Sequence, residues 1–298
     1  MEQKKLFLVA NPKSGKARVK YELLQIVTVL SEAGYSVTVY PTKCRGDATN
    51  AVKALTDEYD TIVCCGGDGT LNEVISGIMH NPLKKDFKLG YIPLGTLNEW
   101  SSGLNISRDI KKAANDVVTG RVMPLDIGRF DDSYFVYTAS FGAFTSASYS
   151  APQEVKNVLG QAAYFFEGIK SLSAIKPIPL KFDIDGETVE GNFLFGAVSN
   201  SLSMGGVIKL DPKKVEFDDG IFEIVLIDNP ENLIEFQDII DALIKRDFNR
   251  KRIQQYKASS ITVYGSENIN WTLDGEMAQG QKEIKIENIH RAINFIIP

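Results

Sequence analysis

Continuous apolar runs alternate with amphipathic segments over the first 120 residues. Leu6-Phe7-Leu8-Val9-Ala10 and Ile62-Val63-Cys64-Cys65 contain no charged position, the pattern of parallel strands covered on both faces. Residues 35–40 alternate as a strand, and Leu89-Gly90-Tyr91-Ile92-Pro93 reads as another. Between them, Leu23, Ile26, Val27 and Leu30 recur at helical spacing and predict a helix over 18–33, stopped by Gly34. Ala48, Val52 and Leu55 predict a second over 46–58, Val74, Ile75 and Ile78 a third, and a fourth covers 107–119. The βαβαβ order predicts a parallel α/β domain whose site lies beyond the carboxyl ends of its strands.

From Met123 the pattern becomes strand-rich. Residues 134–140 read as a strand, and a helix over 153–175 carries Tyr164, Phe165, Phe166 and Ile169, residues suited to a core or to lining an acyl-chain pocket. Asp185-Gly186 between two strand-like runs is a type I′ hairpin signal. A strand over 222–227 precedes an amphipathic helix over 231–244 with Leu233, Phe236, Ile240 and Leu243 expected inward. Strands over 283–289 and 292–297 close the chain. The expected division is an α/β domain over 1–124 and a β-rich domain over 125–289, with 290–298 returning to the first.

The 298 residues, 44% hydrophobic and 24% charged, are ordinary for globular domains. The net charge of -5 argues against a nucleic-acid partner. Cys44 stands apart from Cys64 and Cys65, and His80 and His290 are the two histidines, so neither a disulfide framework nor a histidine-rich metal site is expected. The apolar stretch after the first residues is too short for a signal peptide, and no run reaches the length of a membrane span; a cytoplasmic protein is expected.

The chemistry centres on Gly66-Gly67-Asp68-Gly69-Thr70, which joins a buried strand to a helix start. Glycines there let backbone N–H groups approach a phosphate, and the helix N-terminus adds donors and dipole. A carboxylate beside phosphate oxygens repels them unless a cation intervenes, so Asp68 is expected on the magnesium side. Thr70 and Glu73 also have capping-box spacing, a purely structural alternative. The loop after the first strand, Asn11-Pro12-Lys13-Ser14-Gly15-Lys16, lacks the glycine and the Ser/Thr that a Walker A loop needs.

Gly66-Gly67-Asp68-Gly69-Thr70 resembles the signature shared by diacylglycerol, sphingosine, ceramide and NAD kinases, with a shorter match to phosphofructokinases, and Leu71-Asn72-Glu73-Val74 resembles the lipid-kinase version. The resemblance continues through Asn11-Pro12 with Ser14 and Gly15, Thr42, and the Gly95, Thr96 and Asn98 of a P-x-G-T-x-N element. It departs at Glu99-Trp100-Ser101-Ser102, where the family has Asp-Phe-Ala-Arg. It implies a Rossmann-like, phosphofructokinase-like parallel-sheet domain plus a larger β-sandwich domain. It also implies an ATP-dependent lipid kinase that phosphorylates the hydroxyl of diacylglycerol or a related lipid. ATP would be bound through Asn11, Pro12, Ser14, Gly15, Thr42, the residues Gly66 to Thr70, Asn72, Glu73, Gly95, Thr96 and Asn98.

Four acids then take catalytic roles by resemblance: Asp68 and Asp126 in a magnesium and water network, and Asp274 and Glu276, from a D-G-E element, in proton removal from the acceptor hydroxyl. Glu216, Asp219 and a carbonyl at Ile221 resemble a structural magnesium site. Local turns are the alternatives: an Asx-turn at Asp219, a backbone bond at Asp126, a hairpin at Asp274-Gly275. The basic cluster Lys245, Arg246, Arg250, Lys251 and Arg252 is expected at a solvated helix end or against anionic lipid. The partners expected are a lipid substrate met peripherally at a membrane surface and, by option, a second copy in a homodimer. An NAD kinase-like enzyme and a non-catalytic lipid-binding regulator are the rival functions.

Overall fold

A computed structural model of the chain describes residues 4–17, 19–83, 86–95, 98–143, 176–204, 208–213 and 215–298. It forms two compact units, Met1–Asp126 with Arg291–Pro298, and Ile127–His290. The helix expected over 153–175 and Thr96 lie outside the described residues.

In the first unit β1 (Lys5–Ala10), α1 (Val19–Glu32), β2 (Ser36–Pro41), α2 (Asp47–Lys53), β3 (Thr61–Gly66), α3 (Asp68–Met79) and β4 (Lys88–Pro93) follow in order. α4 (Glu99–Gly103) and α5 (Ile110–Thr119) come next. The strands are parallel in the order β2-β1-β3-β4, as their unbroken apolar runs require. Leu6, Leu8, Val63 and Ile92 of the sheet pack with Ile26, Leu30, Ile110 and Val117 of α1 and α5. Each such side chain contributes roughly 1.5–3 kcal/mol by burial.

Two boundaries move for local reasons. The helix read over 46–58 ends at Lys53 because Asn81 Nδ2 donates to the carbonyls of Val52, Lys53 and Leu55 at 3.1, 3.2 and 3.1 Å, using acceptors that a further turn would need. The helix read over 107–119 begins at Ile110, where the Asp109 carboxylate caps the Lys112 N–H at 2.8 Å.

β5 (Arg121–Phe130) carries the chain into the second unit. β6 (Ser133–Phe135), β7 (Thr138–Gly142), β8 (Ile178–Ile184), β9 (Glu187–Ser199), β10 (Ser203–Met204), β11 (Ile208–Lys209) and β12 (Phe222–Asp228) follow. After α6 (Leu233–Lys245) come β13 (Ile253–Ala258), β14 (Ser260–Tyr264), β15 (Asn270–Leu273), β16 (Glu276–Gln279) and β17 (Glu283–Ile297). β9 pairs with β8 along its first half and with β7 and β12 along its second, all antiparallel. Asp185 (φ 45°) and Gly186 (φ 91°) form the expected hairpin turn between β8 and β9. The core is aromatic: Phe135, Phe141, Phe182, Phe193, Phe222 and Trp271 are fully buried, with the Phe141 and Trp271 rings 4.8 Å apart.

The two strands expected at the end are one, β17. The Asp126 carboxylate accepts the N–H of Arg291, a residue at φ 50°, at 2.7 Å, so the backbone irregularity between the two apolar runs is held within a continuous strand. Beyond it Asn294 and Phe295 lie parallel to Lys88 and Leu89 of β4.

α6 also differs from expectation. Phe236, Ile239, Ala242 and Leu243 are its buried face, whereas Leu233, read as inward, is 67% exposed and Ile244 is 54% exposed. The basic cluster after it is largely ion-paired: Arg250 to Asp238 and Asp247 at 2.9 and 3.0 Å, and Arg252 to Glu231 and Glu235 at 3.0 and 2.7 Å. A cluster compensated in this way is poorly suited to anionic lipid.

Glu223 on β12 is buried and reaches Lys257 across the β12–β13 ladder at 3.1 Å. Burial pushes its carboxyl above the ordinary range against the pull of Lys257, with the nearby charge of Asp219 adding to the rise. The folded protein therefore holds this proton to higher pH than the unfolded chain. Stability should fall as pH rises from the ordinary glutamate value of 4.5 through the folded value, then level off. Glu223→Gln should flatten that portion of a plot of urea midpoint against pH.

Candidate active site

The carboxyl ends of β1, β3 and β4 bring their loops together. The Asn11 N–H donates to the Cys65 carbonyl at 3.0 Å, the Thr42 N–H to Ala10 at 2.9 Å and the Leu94 N–H to Gly66 at 2.7 Å. Asn11 organises its own turn: Nδ2 donates to Thr70 Oγ1 at 2.9 Å, while Oδ1 and the carbonyl accept the N–H groups of Lys13 and Ser14 at 3.0 and 3.1 Å. Pro12 and Gly15 complete that turn, with Gly15 at φ 57°.

The glycine turns after β3 and β4 touch backbone to backbone. A Cβ on Gly95 would lie 2.7 Å from the Gly67 Cα and 2.6 Å from Asn98 Oδ1, and one on Gly67 would lie 3.2 Å from the Gly95 Cα. Any side chain at Gly95 would push the two turns apart. A Cβ on Gly66 would meet the Thr70 side chain at 2.7 Å. Both turns thus leave the main chain bare at the strand ends, where a phosphate can be approached closely.

α3 begins at Asp68, and its N-cap, Gly67, offers no side-chain cap. The capping-box alternative is therefore not realised. Thr70 is buried against Asn11, and the Glu73 carboxylate accepts the N–H groups of Gly46 and Ala48 at 2.8 and 3.3 Å, capping α2 instead. This ties the loop that follows Thr42 to the glycine-turn helix. Asp68 is half-buried and Gly69 exposed at the first turn of α3, and Asn72 lies one turn on, accepting from Ser76 at 3.5 Å.

Asn98 sits inside its loop. It has φ 48°, donates from Nδ2 to the Gly95 carbonyl at 2.9 Å, and receives Tyr91 Oη at 3.3 Å and, at its carbonyl, Ser101 Oγ at 2.8 Å. Burial, reinforced by the charge of Asp68, drives the Tyr91 phenol far above its ordinary pKa, so this donor keeps its proton. Cys65 is pushed up to about 12 by burial, and Cys64 rises well above its ordinary value for the same first reason. Both stay thiols, packed beneath the turn.

In the second unit Asp274 and Gly275, at φ 49° and 85°, are the two-residue turn between β15 and β16. The Asp274 carboxylate accepts three successive backbone N–H groups, from Val136 at 2.6 Å and from Tyr137 and Thr138 at 2.9 and 3.1 Å. Its own N–H donates to the Thr138 carbonyl at 3.0 Å. Glu276, two residues on, is exposed at the start of β16. The hairpin alternative and the buried acid thus coexist at Asp274. Asp126, on β5 in the first unit, is fully buried and holds the Arg291 N–H.

Asp219 Oδ1 accepts the Ile221 N–H at 2.9 Å, an Asx-turn. Glu216 and Asp219 are exposed at that loop. Their side chains and the Ile221 carbonyl offer oxygen donors only, the ligand type that magnesium takes. Among the described residues no group of three His, Cys, Asp or Glu side chains is gathered closely enough to hold a metal alone. Magnesium commonly takes one or two carboxylates and completes its shell with water and phosphate oxygens, so the residues present fit that ion.

The donors to Asp274 were not foreseeable, because Val136 to Thr138 contribute only main-chain groups from far away in the chain. No described helix is long and apolar enough to cross a membrane.

Comparison with known proteins agrees with this architecture. Residues 5–130 match the model of the diacylglycerol kinase catalytic domain, and residues 139–296 match that of a YegS C-terminal, NAD kinase beta sandwich-like domain. A curated diacylglycerol kinase from Bacillus subtilis is 35% identical, over 99% of this chain and 97% of its own length. One from Staphylococcus aureus is 33% identical, over 99% and 93%. A crystal structure of a diacylglycerol kinase from Bacillus anthracis superposes with a TM-score of 0.76 at 25% identity, covering 99% of this chain and 97% of that one. The chain belongs to the diacylglycerol kinase family.

Proposed function

We propose that the protein transfers the γ-phosphoryl group of ATP to the hydroxyl of diacylglycerol or a closely related lipid. The observation that carries this is the bare main-chain contact of the Gly67 and Gly95 turns at the carboxyl ends of β3 and β4, beside the N-terminus of α3. Phosphoryl transfer asks mainly for positioning and charge neutralisation, and this arrangement supplies backbone donors and a helix dipole for the phosphates.

Magnesium, when bound, would neutralise phosphate charge, and Asp68 with Asp126 are the acids proposed to organise it. Glu216, Asp219 and the Ile221 carbonyl are proposed to hold a second, structural magnesium. Pro12, Ser14, Gly15, Thr42 and Thr96 are proposed to line the nucleotide, with Gly66 to Thr70, Asn72 and Gly95. Asn11, Glu73 and Asn98 act through the loops they tie together. Asp274 and Glu276 are proposed to serve the acceptor. With three N–H donors on its carboxylate, Asp274 acts as the pin of the hairpin, and exposed Glu276 takes the hydroxyl proton. ATP as donor and a lipid as acceptor make the protein cytoplasmic and peripheral to the membrane. A second copy of the chain is its proposed protein partner.

Incubation with ATP labelled in the γ-phosphate, magnesium and detergent-dispersed lipids tests this. A labelled lipid phosphomonoester is the expected product. Label in NADP when NAD is supplied would mark an NAD kinase-like enzyme, and no transfer to any acceptor would mark a regulator of the same fold.

A further inference from the structure

We infer that the cavity between β11, the β12–β13 ladder and the segment after α6 binds a small phosphomonoester that also carries hydroxyl groups, a sugar or polyol phosphate. The cavity has a volume of about 640 Å³, within the ~300–1,000 Å³ usual for small-molecule sites. It lies wholly within the second unit, and none of the residues proposed above for ATP, magnesium or the acceptor lines it. The inference therefore does not depend on the kinase activity.

The ladder supplies a buried acceptor. Glu223, 7% exposed, reaches Lys257 through Oε1 at 3.1 Å, whereas its Oε2 is buried and meets no hydrogen-bond donor among the described residues. A buried carboxylate oxygen left without a donor is costly, and a ligand that donates to it removes that cost. The Lys257 ammonium stands beside the same carboxylate, so a neutral hydroxyl suits the position better than a second cation.

The walls supply uncommitted cations. Lys245, Arg250, Lys251, Arg252 and Lys257, the other basic residues of α6, the segment after it and β13, are each ion-paired. Lys209 and Arg246 both line the cavity, and neither side chain has a partner among the described residues. Of the acids beside them, Asp247 pairs with Arg250 at 3.0 Å and Asp211 accepts the Lys213 N–H at 3.0 Å. Arg246 ends α6 with a left-handed backbone at φ 56°, where glycine or asparagine is the usual residue, so a long cation stands there against local preference. Two free cations match the charge of roughly −1.5 to −2 on a phosphomonoester at neutral pH better than the single charge of a carboxylate. Between the two polar ends, Leu210, Val215 and Phe248 offer apolar surface to a carbon skeleton.

Isothermal titration calorimetry of the full chain tests it, with glucose 6-phosphate as the probe. Saturable binding is expected, at least about tenfold tighter than for glucose, which lacks the anion, or for inorganic phosphate, which lacks the hydroxylated skeleton. Lys209→Ala and Arg246→Asn should each weaken it about tenfold, at a nearly unchanged melting temperature because asparagine tolerates the left-handed backbone and Lys209 has no partner to lose. Glu223→Met should lower the affinity for glucose 6-phosphate to that for inorganic phosphate, and it leaves Lys257, 54% exposed by side chain, in water. No saturable binding of either glucose 6-phosphate or sn-glycerol 3-phosphate would overturn the proposal. So would equal affinity for inorganic phosphate, which would reduce the site to an anion contact, and so would binding indifferent to Lys209→Ala and Arg246→Asn, which would place the sugar phosphate elsewhere. Binding to phosphatidate vesicles that these two variants abolish, with neither soluble phosphate bound, would assign the cations to a lipid headgroup and overturn it as well.

Discussion

Asp68→Ala is expected to lower phosphoryl transfer by about two orders of magnitude or more while leaving the melting temperature nearly unchanged. Asp68 is half-buried in the first turn of α3, beside turns that present bare main chain. A carboxylate there is poorly placed against phosphate oxygens alone and well placed against a cation that bridges them. Removing one electrostatic contact of this kind typically costs about 3–4 kcal/mol in the transition state. The loss should appear in kcat far more than in the KM for lipid, because the lipid is not what Asp68 is proposed to touch. Steady-state rates with varied ATP and varied lipid check this, and wild-type activity in Asp68→Ala would remove the proposed cation role.

The second large effect is on stability. Asp274→Ala should destabilise the fold by about 3 kcal/mol or more, since it strips the carboxylate from the Val136, Tyr137 and Thr138 N–H groups, each costly when buried without an acceptor. For a domain of this size that lowers the melting temperature by on the order of 10 °C. Asp274→Asn is more informative, because its amide keeps one acceptor oxygen but points an N–H toward a donor. Loss of melting temperature and activity together is expected for a pin. An Asp274→Asn protein that melts like wild type and loses only kcat would instead make Asp274 the group that takes the acceptor proton. Glu276→Gln, at an exposed position, should reduce kcat with no thermal effect.

The parallel unit was legible because its strands are buried on both faces and its helices are amphipathic, so burial itself writes the pattern. The glycine turns were legible for the same kind of reason, since their composition is constrained locally. Glu73 was harder: its spacing from Thr70 suits a capping box, but the carboxylate crosses to the start of α2, a contact set by helix packing. A 3.6-residue period marks an apolar stripe without saying where its centre lies, so the pattern places Leu233 inward. The buried centre of α6 is set by Ile239 and Ala242, rotated away from Leu233. The single β17 was hidden by Arg291, whose left-handed backbone is stabilised by Asp126 from far along the chain.

Hydrogen exchange with and without ATP and magnesium tests most directly where the phosphates bind. Amides of Gly67 to Thr70, and of Gly95 and its neighbours, should exchange about tenfold more slowly or better at saturating nucleotide, with weaker protection from Asn11 to Gly15. Unchanged exchange at both glycine turns, with nucleotide demonstrably bound and protection confined to other segments, would contradict the account.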